Sequence, residues 1–251
     1  MLYGFIVYFA KQYNYITMLK HMKEFKDLEK IIGIEFKNKD LLKQSVVHRS
    51  YLNEHPKFEL HHNERLEFLG DAVLEIVVTE HLFRNYPETP EGQLTNWRAS
   101  LVNSKMLSEV AGEIGLEKFL YLSKGESKDK NSKARQYILA NAVEALIGAI
   151  YLDQGIKPSS KFVRERMLSK LDLIIENKLY MDPKSKFQEK AQDIFRLTPN
   201  YRVLSESGPD HDKTFEIGLY LGNKLITKGK GTSKQEAQVD AAAKGIKKNK
   251  W

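Results

Sequence analysis

The chain has 251 residues, no cysteine and a formal net charge of +7. The lack of cysteine excludes disulfide scaffolds and thiolate-ligated zinc sites, and it is compatible with a cytoplasmic protein. A hydrophobic fraction of 41% is ample for packed cores, the length predicts two domains, and the basic surplus favours a polyanionic partner.

The first feature in chain order is an apolar run of ten residues, Met1–Ala10. A bilayer span needs about 20 apolar residues. No basic residue precedes the run, as one would in a signal peptide. We therefore expect no membrane partner and treat residues 1–23 as an extension of uncertain status. It is either an extra packed helix or a stretch that precedes a natural start at Met18 or Met22.

Residues 24–177 have apolar side chains at helical spacing, which predicts an all-α domain. Leu28, Ile31 and Ile32 predict a short helix that ends at Gly33, and Asp40 is predicted to cap the next one. The polar segment 123–133 is predicted to be a flexible loop. Further helices are predicted at about 63–85, from about 91, at 104–114, at 135–153 and at 158–177.

The predicted helix at 63–85 carries an acidic stripe. At about 100° per residue, Glu64, Glu67 and Asp71 fall within roughly 60° of one another on one face. Like charges at this spacing repel. A divalent cation would relieve the repulsion, and Mg²⁺ prefers oxygen ligands and keeps several waters. The alternative is an ordinary solvated acidic face.

A second predicted helix carries a carboxylate in apolar surroundings. Between Ile138 and Ile150 the only polar side chains are Asn141 and Glu144. A helix that is apolar all round is buried, and a buried carboxylate needs a basic partner or a metal ion. Arg65, Arg98 and Arg135 are the candidate basic partners if no metal binds.

The pattern changes after a short predicted linker at 178–183. A helix at 184–195 precedes three predicted strands, of which Phe215–Leu221 shows strict alternation. Ser233 and Glu236 predict a capping box that opens a final helix. Residues 182–251 hold 14 Lys and Arg against 9 Asp and Glu, whereas the preceding part holds 26 against 24. The basic surplus therefore lies mainly in this small α+β domain, as phosphate contacts require.

The run from Glu64 to Asp71, ERLEFLGD, closely resembles the signature of the ribonuclease III family. Members are Mg²⁺-dependent endonucleases that cut double-stranded RNA. The resemblance extends from about residue 24 to the C-terminus, and its further motifs are His48–Tyr51, Glu91–Gly92 and the second acidic helix. It implies an all-α endonuclease domain at 24–177, followed by an α-β-β-β-α double-stranded-RNA-binding domain at 184–251.

Position by position, the resemblance implies that Glu67, Asp71, Asn141 and Glu144 hold the metal, with Asp71 and Glu144 catalytic. The family commonly has Asp where this chain has Asn141. An amide offers an oxygen but no charge, so we expect weaker metal binding in an active enzyme. The alternative is a catalytically weakened RNA-binding scaffold of the same fold.

The resemblance also implies that Glu64 and Glu91 stand beside the metal, where they touch RNA or metal-bound water. It places Phe68 at the interface of a homodimer. His61 and His62 precede the acidic stripe, and we interpret them as surface histidines without a catalytic role.

In the C-terminal domain, the resemblance implies four RNA contacts. Gln188 and Glu189 match positions that reach a minor groove, and His211 lies in a turn that enters the next one. Lys234, at the start of the last helix, matches a phosphate contact, which the positive end of the helix dipole assists. Double-stranded RNA is read mainly by its shape.

The implied activity is hydrolysis of phosphodiester bonds in double-stranded RNA, for processing of rRNA precursors, mRNA and other structured transcripts. The implied products carry 5′-phosphate and 3′-hydroxyl ends with a short 3′ overhang. The expected cofactor is Mg²⁺, with Mn²⁺ as a substitute and no organic cofactor. The expected partners are double-stranded RNA and a second copy of the chain. An unrelated helical metalloprotein is a further alternative, which leaves the C-terminal domain unexplained.

Overall fold

The computed structural model describes residues 25–129, 132–209 and 213–251. The chain divides into two compact units, Met1–Glu176 and Asn177–Trp251. The described part of the first unit is built from helices, and the second combines two helices with a three-stranded sheet. This confirms the predicted fold class. The predicted extension at 1–23 lies outside the described residues.

The first unit contains ten α-helices among its described residues, with α1 covering residues 25–32. The others are α2 (Lys39–Ser45), α3 (Arg49–Glu54), α4 (Glu64–Asn85), α5 (Glu91–Val102), α6 (Ser104–Glu113), α7 (Lys124–Lys128), α8 (Lys133–Gln154), α9 (Ile156–Arg166) and α10 (Leu171–Glu176), with 3₁₀ turns at Leu116–Phe119 and Leu168–Lys170.

Three local predictions for this unit were wrong. Helix α2 is capped by Asn38, whose side chain accepts a hydrogen bond from the Asp40 backbone, so Asp40 lies inside the helix. The polar segment 123–133 contains the short helix α7, because the Ser123 side chain caps it at the Glu126 backbone. The helix predicted at 158–177 is broken after Arg166.

The break after Arg166 has a packing reason. Leu168, Leu171 and Ile174 are all buried and are spaced three residues apart. A 3₁₀ turn aligns residues at that spacing, whereas a continuous α-helix rotates them progressively around its axis. The turn at Leu168–Lys170 therefore lets these apolar side chains enter the core together.

The centre of the first unit is the crossing of α4 and α8, which form its most extensive helix pair. Two glycines lie at the crossing. A Cβ atom on Gly70 would stand 1.7 Å from the Glu144 carbonyl oxygen, and one on Gly148 would stand 2.2 Å from the Leu66 carbonyl oxygen. The two backbones are thus in direct contact, at a distance that only glycine permits.

The second unit is an antiparallel sheet with helices packed on one face. Helix α11 (Pro183–Phe195) precedes β1 (Pro199–Ser207), β2 (Thr214–Leu221) and β3 (Lys224–Gly231), and α12 (Lys234–Asn249) follows them. The strands lie in the order β1-β2-β3, with a bulge in β1 between Val203 and Ser205. Phe187, Leu219 and Ala242 are in the core between helices and sheet.

The predicted capping box of α12 forms with one difference. The Ser233 side chain accepts a hydrogen bond from the Glu236 backbone, while the Glu236 carboxylate accepts one from the backbone of Thr232. Across residues 25–129, 132–209 and 213–251, none of the helices has the length and apolar character needed to cross a membrane.

Candidate metal centre and nucleic-acid interface

The crossing of α4 and α8 gathers the four residues predicted to hold a metal. Glu67 and Asp71 lie one turn apart on α4, and Asn141 and Glu144 lie on α8. The Asn141 side chain lies close enough to the Glu67 carboxylate to lower its pKa. Asp71 and Glu67 are both close enough to Glu144 to act on its ionisation. We call Glu67, Asp71, Asn141 and Glu144 the acidic cluster.

Two carboxyl groups of the acidic cluster, those of Glu67 and Glu144, resist ionisation. Burial, followed by the charges of Asp71 and Glu67, raises the pKa of Glu144 to about 8. Burial, then the charges of Glu64 and Asp71, also raises the pKa of Glu67, although the Asn141 side chain opposes this. The shared physical causes are burial and the repulsion between neighbouring carboxylates.

Two of the three basic partners considered for Glu144 are engaged elsewhere, and the third, Arg65, forms no ion pair with it among the described residues. Arg98 pairs with Glu75 at 3.0 Å, and Arg135 pairs with Glu117 at 3.2 Å. Among the ion pairs of the described residues, none includes Glu67, Asp71 or Glu144. The interpretation of Glu144 as one half of a buried salt bridge is therefore wrong.

The acidic cluster is not a closed metal cage. In the part of the chain that the structure describes, no three His, Cys, Asp or Glu side chains are gathered so that they would hold a metal ion by themselves. Half-buried oxygen donors without a counter-charge nevertheless fit a hard cation that retains several waters and takes its remaining ligands from substrate phosphates. Mg²⁺ has this behaviour.

Glu64 stands at the rim of the cluster, one turn before Glu67. Its carboxylate lies 3.5 Å from Arg49 Nη1 and 3.6 Å from His62 Nδ1. His61 is exposed, as expected, but His62 is only half exposed and faces Glu64. Sequence reasoning assigned no function to Arg49, although the residue lies in the motif His48–Tyr51.

Glu91 lies apart from the acidic cluster within the chain. It begins α5, where its carboxylate accepts a hydrogen bond from Thr95 Oγ1 at 2.9 Å. With Thr79 and Phe83 it lines a cavity of about 210 Å³. Thr79 lies two turns beyond Asp71, which is about 12 Å along the helix axis. The structure does not bring Glu91 to the cluster, and its role beside the metal stays a prediction.

Phe68 is 81% exposed on α4, although it is a large apolar residue in the centre of the signature. It lies along a groove of about 790 Å³. The groove is lined on its other sides by Leu41, Gln44, His61, His62, Glu64, Arg65, Leu66, Leu69 and Leu152. An exposed aromatic side chain beside a groove of this kind marks a candidate protein–protein contact.

The second unit places three of its four predicted RNA contacts on its surface. Gln188 is exposed on α11, and the adjacent Glu189 pairs with Lys178 at 2.6 Å. Lys234 is exposed at the first turn of α12, and its Nζ lies 5.7 Å from the centre of the Phe215 ring. His211 lies outside the described residues.

Sequence reasoning missed the two glycines that set the geometry of the cluster. Gly70 lies between Glu67 and Asp71, and Gly148 follows Glu144 by one turn. A glycine inside a helix costs about 1 kcal/mol relative to alanine, so its presence mid-helix indicates close packing. Gly148, in an otherwise apolar helix, was the available signal.

Comparison with known proteins agrees with this arrangement in both units. A family model described as Ribonuclease-III-like matches residues 38–171, and one described as double-stranded RNA binding motif matches residues 183–249. Ribonuclease 3 of Carboxydothermus hydrogenoformans is 44% identical over 219 residues, 87% of this chain and 93% of that protein. Ribonuclease 3 of Borreliella afzelii is 41% identical over 216 residues, 86% of this chain and 87% of that protein.

Among solved structures, the nuclease domain of ribonuclease III from Campylobacter jejuni is 35% identical with a TM-score of 0.50, and the match covers 58% of this chain and 94% of that one. These matches rule out the alternative of an unrelated helical metalloprotein. The relatives align with this chain over nearly their whole length, and the two family models match one unit each. The chain therefore belongs to the ribonuclease III family and is an endoribonuclease acting on double-stranded RNA.

Proposed function

We propose that the acidic cluster is the catalytic centre and that it binds Mg²⁺, with Mn²⁺ as a substitute. The observation that carries this proposal is the crossing of α4 and α8, which places Glu144 beside Asp71 and Glu67. In keeping with this placement, burial and then Asp71 and Glu67 raise the pKa of Glu144 to about 8. A half-buried carboxyl group of this kind gains most from a cation, because a cation compensates both the burial and the repulsion. When bound, the ion supplies Lewis-acid activation of water and stabilisation of the leaving oxygen.

The residues of the cluster differ in exposure, and we assign them different roles accordingly. Asp71 is exposed, whereas Glu67, Asn141 and Glu144 are half-buried. The half-buried groups fix the position of the cation, since the crossing of α4 and α8 holds their backbones. Asp71 and Glu144 act as the catalytic pair, and Glu64 and Glu91 are proposed to touch RNA or metal-bound water.

The site acts on phosphodiester bonds of double-stranded RNA and leaves a 5′-phosphate and a 3′-hydroxyl. Two sites in a homodimer would cut the two strands with a short 3′ overhang. The proposed substrates are rRNA precursors, mRNA and other structured transcripts in the cytoplasm. Gln188, Glu189, His211 and Lys234 hold the duplex by its grooves and phosphates, in keeping with shape recognition.

The homodimer proposal is supported by the exposed apolar face of α4. Phe68, Ile76 and Phe83 are all more than half exposed on this helix. In a two-fold dimer the same patch is used by both copies, so a protruding side chain and the groove that receives it must lie on one surface. Phe68 and the groove beside it satisfy this requirement.

Replacing Phe68 with alanine is expected to weaken the dimer about 30-fold or more, because a buried aromatic anchor contributes about 2 kcal/mol or more to an interface. Sedimentation velocity over a concentration series measures the dissociation constant. Phe195→Ala is the control, since Phe195 is also an exposed phenylalanine but lies in the second unit. Equal dissociation constants for the Phe68 variant and the wild type would contradict the proposed interface.

The metal proposal is tested by cleavage of a long, perfect RNA duplex over a range of Mg²⁺ concentrations, with excess EDTA as the metal-free control. Short duplex products that require Mg²⁺ support the proposed cofactor. A duplex that is shifted on the gel but uncut at every Mg²⁺ concentration would favour the weakened RNA-binding scaffold.

Asn141→Asp is expected to lower the Mg²⁺ concentration for half-maximal cleavage in the same titration, by about tenfold. The change replaces the amide that lowers the pKa of Glu67 with a further negative charge. One added charge in a partly buried site is worth about 1–2 kcal/mol to a cation. Without Mg²⁺ the same variant should melt at a lower temperature than the wild type. An unchanged Mg²⁺ requirement would place residue 141 outside the metal site.

A further inference from the structure

Arg49 is a basic side chain in contact with the rim of the catalytic centre. Its Nη1 lies 3.5 Å from the Glu64 carboxylate, and Glu64 in turn acts on the ionisation of Glu67. The other basic group at Glu64 is His62, at 3.6 Å. The chain thus places a permanently charged guanidinium beside Glu64, which lies about one helical turn before Glu67.

The backbone of Arg49 is held in a fixed place relative to α4. Asn63, directly before α4, is buried, and its side-chain nitrogen donates to the Ser45 carbonyl at 3.1 Å. The Asn63 backbone donates to the Val47 carbonyl at 2.9 Å. His48 then caps α3, with its ring nitrogen accepting from the Ser50 backbone. The chain segment that carries Arg49 is therefore bonded to the start of the signature helix.

The guanidinium itself is free to move on this fixed base. The Arg49 side chain is 70% exposed, and its distance from Glu64 is too long for a close hydrogen-bonded pair. Exposed ion pairs of this kind contribute about 0–1 kcal/mol. Arg49 therefore loses little free energy when it leaves Glu64 for an anion that binds it more strongly. A phosphodiester accepts two parallel hydrogen bonds from arginine, which makes it the better partner.

A phosphate that approaches the acidic cluster is repelled by the carboxylates unless positive charge compensates them. The cluster carries net negative charge, and a bound divalent ion compensates only the phosphate that contacts it. A neighbouring phosphate of the same strand still meets Glu64 at the rim. We propose that Arg49 leaves Glu64 when the duplex arrives and binds the RNA phosphate next to the scissile one. Arg49 then positions the strand over the cluster. This inference rests on the proposed location of the catalytic centre.

The test compares Arg49→Gln with Arg84→Gln in the full-length chain. Arg84 is a closely matched control, because it is also 70% exposed and pairs with a glutamate, Glu80, on the same unit. Binding of a labelled 30-base-pair RNA duplex is measured in EDTA over a salt series, and cleavage kinetics are measured in Mg²⁺. We expect Arg49→Gln to reduce the slope of log affinity against log salt by about one. We expect KM to rise about tenfold with kcat and the Mg²⁺ requirement little changed, and Arg49→Lys to recover part of the loss.

A double variant separates substrate binding from simple neutralisation of Glu64. If Arg49 binds phosphate, Glu64→Gln added to Arg49→Gln leaves RNA affinity as weak as in the single Arg49 variant or improves it only slightly. Full recovery of affinity and rate in the double variant would overturn the inference, as would identical behaviour of Arg49→Gln and Arg84→Gln. If the wild type neither binds nor cuts the duplex, the failure lies with the proposed function and not with Arg49.

Discussion

Glu144→Gln is expected to lower the rate of double-stranded RNA cleavage about 10³-fold or more while RNA affinity stays nearly unchanged. The change keeps the shape of the side chain and removes its charge. A carboxylate that fixes a catalytic cation contributes several kcal/mol to the transition state, and each 1.4 kcal/mol is about tenfold in rate. Binding survives because the RNA contacts proposed in the second unit and at Arg49 do not depend on Glu144.

The same variant should stabilise the protein when no metal is present. The pKa of Glu144 is raised to about 8 from an ordinary value of 4.5. An unfolded chain therefore releases this proton first, and the metal-free wild type loses unfolding free energy as the pH rises from about 5 towards 8. Glu144→Gln lacks this loss, so in EDTA at pH 8 it should be more stable by about 1–2 kcal/mol, after allowance for solvent screening.

Thermal melting with Mg²⁺ and with EDTA gives a readout that is independent of activity. Mg²⁺ should raise the melting temperature of the wild type and should raise that of Glu144→Gln much less. Glu80→Gln, at an exposed position of α4 away from the cluster, should behave like the wild type in all three measurements. If Glu144→Gln loses RNA binding together with cleavage, or melts well below the wild type in EDTA, Glu144 has a structural role instead.

The acidic cluster was predictable because its residues break the rules that govern ordinary helices. A carboxylate in the apolar helix α8 and three acids on one face of α4 are each unfavourable without a cation. The structure places Glu67 and Asp71 near Glu144, whereas their role as metal ligands stays a prediction. The strands of the second unit were equally predictable from the sequence, since strict alternation of apolar side chains from Phe215 to Leu221 indicates a half-buried strand.

Other features depend on contacts that a periodic pattern does not contain. Ile76 lies on α4 between the buried Val73 and Val77, yet its side chain is 57% exposed. The break at Leu168 depends on which residues meet the core, and the position of Glu91 depends on how α5 returns against the far end of α4. Arg49 was visible in the sequence only as part of a motif, because its partner Glu64 is 15 residues away. The close contact of α4 and α8 is likewise a property of two segments and not of either one.

Because α4 and α8 touch at Gly148, any side chain added there must push the two helices apart. Gly148→Ala should destabilise the protein by about 3 kcal/mol or more and remove most of its activity. The added Cβ would stand 2.2 Å from the Leu66 carbonyl oxygen and 3.0 Å from the Gly70 nitrogen. Both are backbone atoms, so no side chain is able to rotate away, and the helices must separate. Overpacking in a tight core costs about 1–3 kcal/mol and sometimes more.

Separation of α4 and α8 acts directly on the catalytic centre, because Glu67 and Asp71 are carried by one helix and Glu144 by the other. Even a folded Gly148→Ala protein should therefore need more Mg²⁺ for cleavage than the wild type. Gly112→Ala is the matched control: Gly112 lies inside α6, and a Cβ there meets no atom within 4 Å. Alanine reduces the conformational entropy of the unfolded chain, which should stabilise that variant by about 0.4–1 kcal/mol without a change in activity. Chemical denaturation and Mg²⁺ titration of both variants measure these effects, and equal stability of the two would show that the helices do not meet at Gly148.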